Sequence, residues 1–209
     1  MAYIKRSDMP TALQETPAIP VTLFPPRKIW TRDECVALEV SGLLDQQKYE
    51  LVHGELISKM GKRRPHVITM ALVKRWLEQT FGWDFVNTEA PIDVAAGENA
   101  TNEPEPDIIV LRREFTQFAV NPQPSEVRLV VEISDSTLNY DLRVKGPLYA
   151  RAGIVELWVV DIHAKQVIVH REPANGLYLS VVAYSCGETI TPLAAPQAAF
   201  PVASAFPSN

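Results

Sequence analysis

The chain has 209 residues, 46% of them apolar, which is enough for one domain with a sizeable core and too few for two full ones. Its formal net charge of -5 argues against a surface that grips a polyanion everywhere, while leaving room for a local basic groove. No run approaches the roughly 20 apolar residues of a membrane span, and the N-terminal "MAYIKRSDMP" lacks a signal-type apolar core, so a cytoplasmic protein with no membrane attachment is expected. Cys35 and Cys186 lack metal-ligand spacing and read as reduced small hydrophobes.

Residues 1–27 are rich in proline (Pro10, Pro17, Pro20, Pro25 and Pro26) and read as an N-terminal arm. A folded domain is then expected over 28–190. Within it, "WTRDECVALEVSGLL" carries a capping box at Thr31 and Glu34, with Trp30 and Cys35 where a hydrophobic staple would sit. Val36, Val40 and Leu43 supply the expected buried stripe of that helix. "KYELVHGELISK" predicts two short strands turning at His53-Gly54. The basic stretch "KMGKRRPH" follows, bearing Lys59, Lys62, Arg63, Arg64 and His66 with no acid among them. "HVITMALVKRWLEQTFG" predicts a helix apolar on two sides, hence largely covered, with Val67, Met70, Ala71, Leu77 and Phe81 on one and Ile68, Leu72 and Trp76 on the other.

Strands are expected over "WDFVNTEAPIDV", over 107 to 111 and over 127 to 134, the last two with the near-continuous aliphatic runs of strands buried on both faces. Residues 139 to 153 predict a helix interrupted near Gly146-Pro147, because proline removes a helical hydrogen bond. "VELWVVDI", "QVIVHRE" and "LYLSVVAY" complete a strand-rich C-terminal half. The order predicts an α/β or α+β domain with a mixed central sheet flanked by helices. Residues 191–209, without charge or period, read as a flexible C-terminal tail.

Chemistry concentrates at the strand ends. In "EPEPDIIVLRR", Glu103 and Glu105 read as solvated loop residues, whereas Asp107 opens a buried strand. Glu132 lies near the end of the next. If the two strands pair antiparallel, both carboxylates reach one edge of the sheet. Two carboxylates so placed repel unless a cation lies between them, and hard oxygen ligands suit Mg²⁺ or Mn²⁺. Ser134 shares the face of Glu132, and the carbonyl of Ile133 adds an oxygen. Asp141, Lys145 and Tyr149, four residues apart, would align on one helical face, bringing a lysine toward the site.

"KYELVHGELI", "EPEPDIIVL", "RLVVEISDST", "YDLRVKGPLYARAG" and "VELWVVD", in this order, resemble the Uma-two family of the restriction-endonuclease-like, PD-(D/E)XK phosphodiesterase superfamily, over roughly residues 28 to 180. The resemblance implies a four-stranded mixed core sheet with acids at one edge. It also implies Asp107 and Glu132 as catalytic metal ligands with the Ile133 carbonyl beside them, and Glu50 as an accessory acid. Ser134 stands where the superfamily expects its lysine, and Lys145 matches the family's relocated one. The expected function is Mg²⁺- or Mn²⁺-dependent hydrolysis of DNA, with Lys59, Lys62, Arg63, Arg64 and His66 at backbone phosphates. Asp141, Tyr149 and Ser134 would support the site. A catalytically idle module binding nucleic acid or a protein partner is the alternative, and a homodimer is an option that related nucleases commonly take.

Overall fold

The computed structural model describes residues 27–45, 49–59 and 61–207. Residues 1–26 of the expected N-terminal arm lie outside them. Helix α1 (Arg32–Val40) begins with the expected capping box: the Glu34 backbone N–H donates to the Thr31 hydroxyl and the Thr31 N–H to the Glu34 carboxylate. Strands β1 (Tyr49–Val52) and β2 (Glu55–Ser58) form an antiparallel hairpin. His53 and Gly54 both have positive φ there, as a two-residue primed turn requires. A Cβ on Gly54 would come within 2.3 Å of Ile29 Cγ2, so the turn also needs glycine for space.

Helix α2 (Arg64–Phe81) leads into a six-stranded sheet, which contains β3 (Val86–Thr88), β4 (Ile108–Leu111), β5 (Val127–Ser134), β6 (Glu156–Asp161), β7 (Gln166–Ala174) and β8 (Leu177–Ser185). These strands lie side by side in chain order. Only β5 and β6 are parallel; the other neighbours are antiparallel. The expected mixed sheet flanked by helices is therefore present, widened from four strands to six. A parallel pair needs a crossover, and this one consists of α3 (Leu138–Tyr140), a π-helical turn (Asp141–Lys145) and α4 (Gly146–Ala152).

The aliphatic runs of β4 and β5 are buried on both faces, as expected for central strands. On one face, α2 and the C-terminal segment cover Ile108, Val110, Leu129, Val131 and Ile133. On the other, the crossover helix covers Ile109, Leu111, Val130, Leu157 and Val159. A bulge between Val110 and Leu111 puts Val127 on the crossover side, out of step with Leu129.

Four expectations need correction. Residues 191–207 are not a flexible tail: β10 (Phe200–Pro201) pairs with β9 (Thr189–Ile190), and Phe200, Val202, Ala205 and Phe206 are buried. The Phe200 ring centroid stands 4.9 Å from that of Trp76 and 5.4 Å from that of Trp158, so aromatic packing holds a segment with no periodic pattern. Val36 and Val40 of α1, and Leu43 beyond its end, are exposed, and only Cys35 of the helix is buried. That helix is anchored instead by Arg32, whose guanidinium donates to Asp93 at 2.7 Å and to the Asn102 carbonyl at 2.7 Å. Helix α2 buries a single seam, His66, Thr69, Val73 and Leu77, leaving Val67 and Ala71 in solvent. The strand expected over 83 to 94 shrinks to three residues, because Trp83–Phe85 form a 3-10 turn and Glu89 has a left-handed φ of 51°.

The break expected at Gly146-Pro147 is absorbed rather than made. The Gly146 N–H bonds the Asp141 carbonyl five residues back, and this wider turn accommodates the missing donor of Pro147 while the helix continues. A Cβ on Gly146 would press on that carbonyl at 3.3 Å.

If the C-terminal segment is part of the core, Phe200→Ala should lower unfolding free energy by about 3–5 kcal/mol in a guanidinium titration. Val40→Ser in α1, 83% exposed, should change it by less than about 0.5 kcal/mol.

Candidate active site

The antiparallel register of β4 and β5 pairs Ile108 with Val131, so Asp107, one residue earlier, falls opposite Glu132, one residue later. Both lie on the crossover side of the sheet. The Asp107 Oδ2 accepts the Ile133 backbone N–H at 2.8 Å, which fixes the aspartate against the strand that carries the glutamate.

Three further elements bring groups to this edge. From the crossover, Lys145 donates to Glu132 Oε1 at 2.8 Å and Tyr149 OH to the same oxygen at 2.7 Å. From β1, Glu50 reaches Lys145 at 3.2 Å and accepts the Glu105 backbone N–H at 3.1 Å. From α2, His66 Nε2 lies 3.3 Å from Asp107 Oδ2, and its buried Nδ1 has no partner among the described residues. Asp141 is held on the same face, accepting hydrogen bonds from the hydroxyls of Ser134 at 2.7 Å and Thr137 at 2.6 Å. The fold thus brings together Asp107, Glu132, Ile133, Lys145, Asp141, Tyr149 and Ser134, which the strand and helix spacing pointed to, and Glu50, which only the family resemblance implied.

The electrostatics of this group are strained by burial. Glu132 is 3% and Lys145 4% exposed. Desolvation, reinforced by the charges of Asp141, Asp107 and Glu50, pushes the Glu132 carboxyl up to about 8 against the pull of Lys145. Burial also disfavours the Lys145 charge, but Glu132, Tyr149, Glu50 and Asp141 outweigh it and hold the lysine protonated, its pKa well above the ordinary value. Asp107 behaves oppositely to Glu132. Burial opposes its charge, yet His66 and Lys62 overcome this and hold it at about 2. The site therefore pairs one carboxyl that resists ionising with one that cannot avoid it.

Glu50, Asp107, Glu132, Ile133, Asp141 and Lys145 line an open cavity of about 710 Å³. The basic stretch borders it, though not as a free positive patch. Lys62 donates to Asp107 Oδ1 at 2.7 Å and pairs with Glu89 at 2.6 Å, Arg63 grips Asp135 through two hydrogen bonds of 2.7 and 2.8 Å, and Lys59 pairs with Glu105. Arg64 is exposed and stands outside the cavity lining. His66 is buried rather than a surface contact. Glu105 is a cavity wall, not a solvated loop residue, and Glu103 is half-buried, accepting from Asn121 at 2.7 Å.

Sequence reasoning missed Glu89, Glu105, Asp135 and Tyr140. Only Glu105 carried a usable signal, its place two residues before Asp107 in the same extended approach; the other three are brought in by tertiary contacts.

Acids gathered at one edge of a mixed sheet flanked by helices define a restriction-endonuclease-like fold, here with the lysine brought from the crossover instead of the strand. The chain belongs to the Uma2 family, described as "Putative restriction endonuclease", whose model matches residues 33–203. A crystal structure described as "a putative nuclease belonging to DUF820", from Anabaena variabilis ATCC 29413, shares the fold with a TM-score of 0.58 and 15% identity. The similarity covers 78% of this chain and 91% of that one. No curated protein matches the chain.

The two carboxyls give stability opposite dependences on pH. Glu132 binds its proton more tightly folded than unfolded, so its contribution is full below about pH 4.5 and is lost as pH rises toward about 8. Asp107 contributes above about pH 3.8 and loses that as pH falls through about 2. In chelator-treated protein, Glu132→Gln should therefore gain stability relative to wild type as pH rises from 5 to 8, read from urea midpoints. A difference that stays constant across this range would contradict the assignment.

Proposed function

We propose that the chain is a divalent-metal-dependent endonuclease that hydrolyses phosphodiester bonds in DNA. The observation that carries this reading is the placement of Asp107 beside Glu132 at one sheet edge, with Lys145 on Glu132. Four carboxyl groups, Glu50, Asp107, Glu132 and Asp141, face two ammonium groups, Lys145 beside Glu50 and Glu132 and Lys62 beside Asp107, so the site has more acids than cations. Among the described residues no three or more His, Cys, Asp or Glu side chains form a ready-made metal cage. That fits Mg²⁺ or Mn²⁺ nonetheless, since Mg²⁺ is commonly held by one or two carboxylates and completed by water and substrate oxygen.

Asp107, Glu132 and the Ile133 carbonyl would hold the ion, which supplies Lewis acidity toward water and phosphate. Asp107 is suited to this by remaining ionised, and its Ile133 and His66 contacts fix its orientation. Lys145, locked by Glu132 and Glu50, holds a protonated amine where negative charge develops on the phosphate. Tyr149 donates to Glu132 Oε1 and keeps that carboxyl turned toward the lysine. Ser134 cannot supply the lysine charge of its superfamily position, and its hydroxyl instead orients Asp141.

The alternative, an idle module that binds nucleic acid or a protein, is favoured by one contact: the Lys62 ammonium already sits on Asp107. The two readings separate on metal binding and cleavage. Purified protein with Mg²⁺ or Mn²⁺ should cut DNA, and Asp107→Ala or Glu132→Ala, if folded, should reduce the rate by about 10²-fold or more. Activity that survives both substitutions would remove Asp107 and Glu132 from the mechanism.

Lys62 competes with an incoming cation for Asp107 Oδ1. Lys62→Met should therefore tighten Mn²⁺ binding, on the order of tenfold by calorimetric titration, equivalent to about 1.4 kcal/mol. Wild type that binds no Mn²⁺ at millimolar concentration would favour the idle module.

A further inference from the structure

Among the described residues, the groups assigned to catalysis open to the surface at the cavity. Glu132 and Lys145 lie at its floor, each less than 5% exposed, so a scissile phosphate must descend to them rather than lie across a flat sheet edge. A volume of about 710 Å³ is that of a small-molecule pocket, room for one or two nucleotides and not for the body of a duplex.

The rim argues the same way. It is tied across by ion pairs from one segment to two connections: Lys62 to Glu89 and Lys59 to Glu105 at the two ends of the β3–β4 connection, and Arg63 to Asp135 after β5. Seven carboxylates line the cavity against four lysine or arginine side chains. A protein that tracks duplex backbone commonly commits 6–10 cations to phosphates, and these walls offer no such surplus. Tyr140 adds an aromatic side chain to the lining, and its buried hydroxyl has no partner among the described residues. Aromatic rings are the usual stacking platforms for unpaired bases.

From depth, size, wall charge and the Tyr140 ring together, we infer that the substrate class is single-stranded DNA, taken as a free strand, an overhang or a frayed end, with one or two nucleotides in the cavity. This rests on the nuclease reading for its chemistry, though not for its binding geometry.

Two probes decide it: a fluorescein-labelled 20-nucleotide single strand, and a duplex of similar length closed by hairpin loops at both ends. Binding is read by anisotropy in Ca²⁺ and cleavage in Mn²⁺. The single strand should bind at least tenfold more tightly than the closed duplex, and log K against log salt should have a slope shallower than about -3. Tyr140→Leu should weaken single-strand binding by about tenfold, and Tyr140→Phe should retain the stacking share of it. Equal or tighter binding of the closed duplex, or its cleavage at the rate of the single strand, overturns the substrate class and leaves the nuclease reading standing. Preferential single-strand binding without cleavage of either probe supports the substrate class and overturns the nuclease reading. Absence of both binding and cleavage overturns the two together.

Discussion

Everything at the acidic sheet edge depends on one buried ammonium. Lys145 stands 2.8 Å from Glu132 and 3.2 Å from Glu50, with Asp141 in the same turn. Removing that amine would leave several carboxylates facing one another in a medium that cannot screen them, at a cost of several kcal/mol. Its position in turn depends on the π-helical turn: Lys145 closes it, and Gly146 and Pro147 let the chain resume α-helical geometry. The helical irregularity and the charge cluster are one feature. A wider turn at Asp141–Lys145 allows an aspartate and a lysine to face the same strand end while Tyr149, a turn later, still reaches Glu132.

Local pattern carried the fold where burial was symmetric and failed where it was lopsided. In β5 the run Val127–Ser134 is buried almost throughout, and an unbroken aliphatic sequence has few other ways to satisfy its backbone. Helix α1 shows the opposite. Val36, Val40 and Leu43 have core spacing, yet spacing states only that one face is apolar, not that anything lies against it. What secures α1 is the contact of Arg32 with Asp93 and Asn102, sixty to seventy residues away, which no local window contains. The C-terminal segment fails for a related reason: Phe200 has no periodic neighbours, and its place is set by Trp76 and Trp158 on separate elements.

The site was legible to the extent that strands impose register. Asp107 and Glu132 meet because antiparallel pairing carries the start of one strand to the end of the next, and Ser134 shares the face of Glu132 because strand side chains alternate. Four-residue spacing placed Asp141, Lys145 and Tyr149 together even though the turn from Asp141 to Lys145 is π-helical. The basic stretch misled, because a run of positive residues states nothing about its partners. Lys59 and Lys62 meet acids at opposite ends of the β3–β4 connection and Arg63 one after β5, so Glu89, Glu105 and Asp135 are gathered only by tertiary folding. Ion-pair choice is the least local property of a sequence, and the cavity walls consist largely of ion pairs.

The serine at position 134 weighs less against catalysis once its surroundings are considered. A lysine lost by drift would leave its former partners unpaired, or filled by water. Here the acid that such a lysine would face, Glu132, is engaged by Lys145, and the serine hydroxyl bonds Asp141, four residues before that lysine. Strand and helix are therefore matched: the serine of β5 orients Asp141, and the crossover brings the amine to Glu132. A lysine buried among acids is difficult to explain by stability, because such burial offers no advantage over apolar packing. It is readily explained if the charge itself must stand at the end of β5.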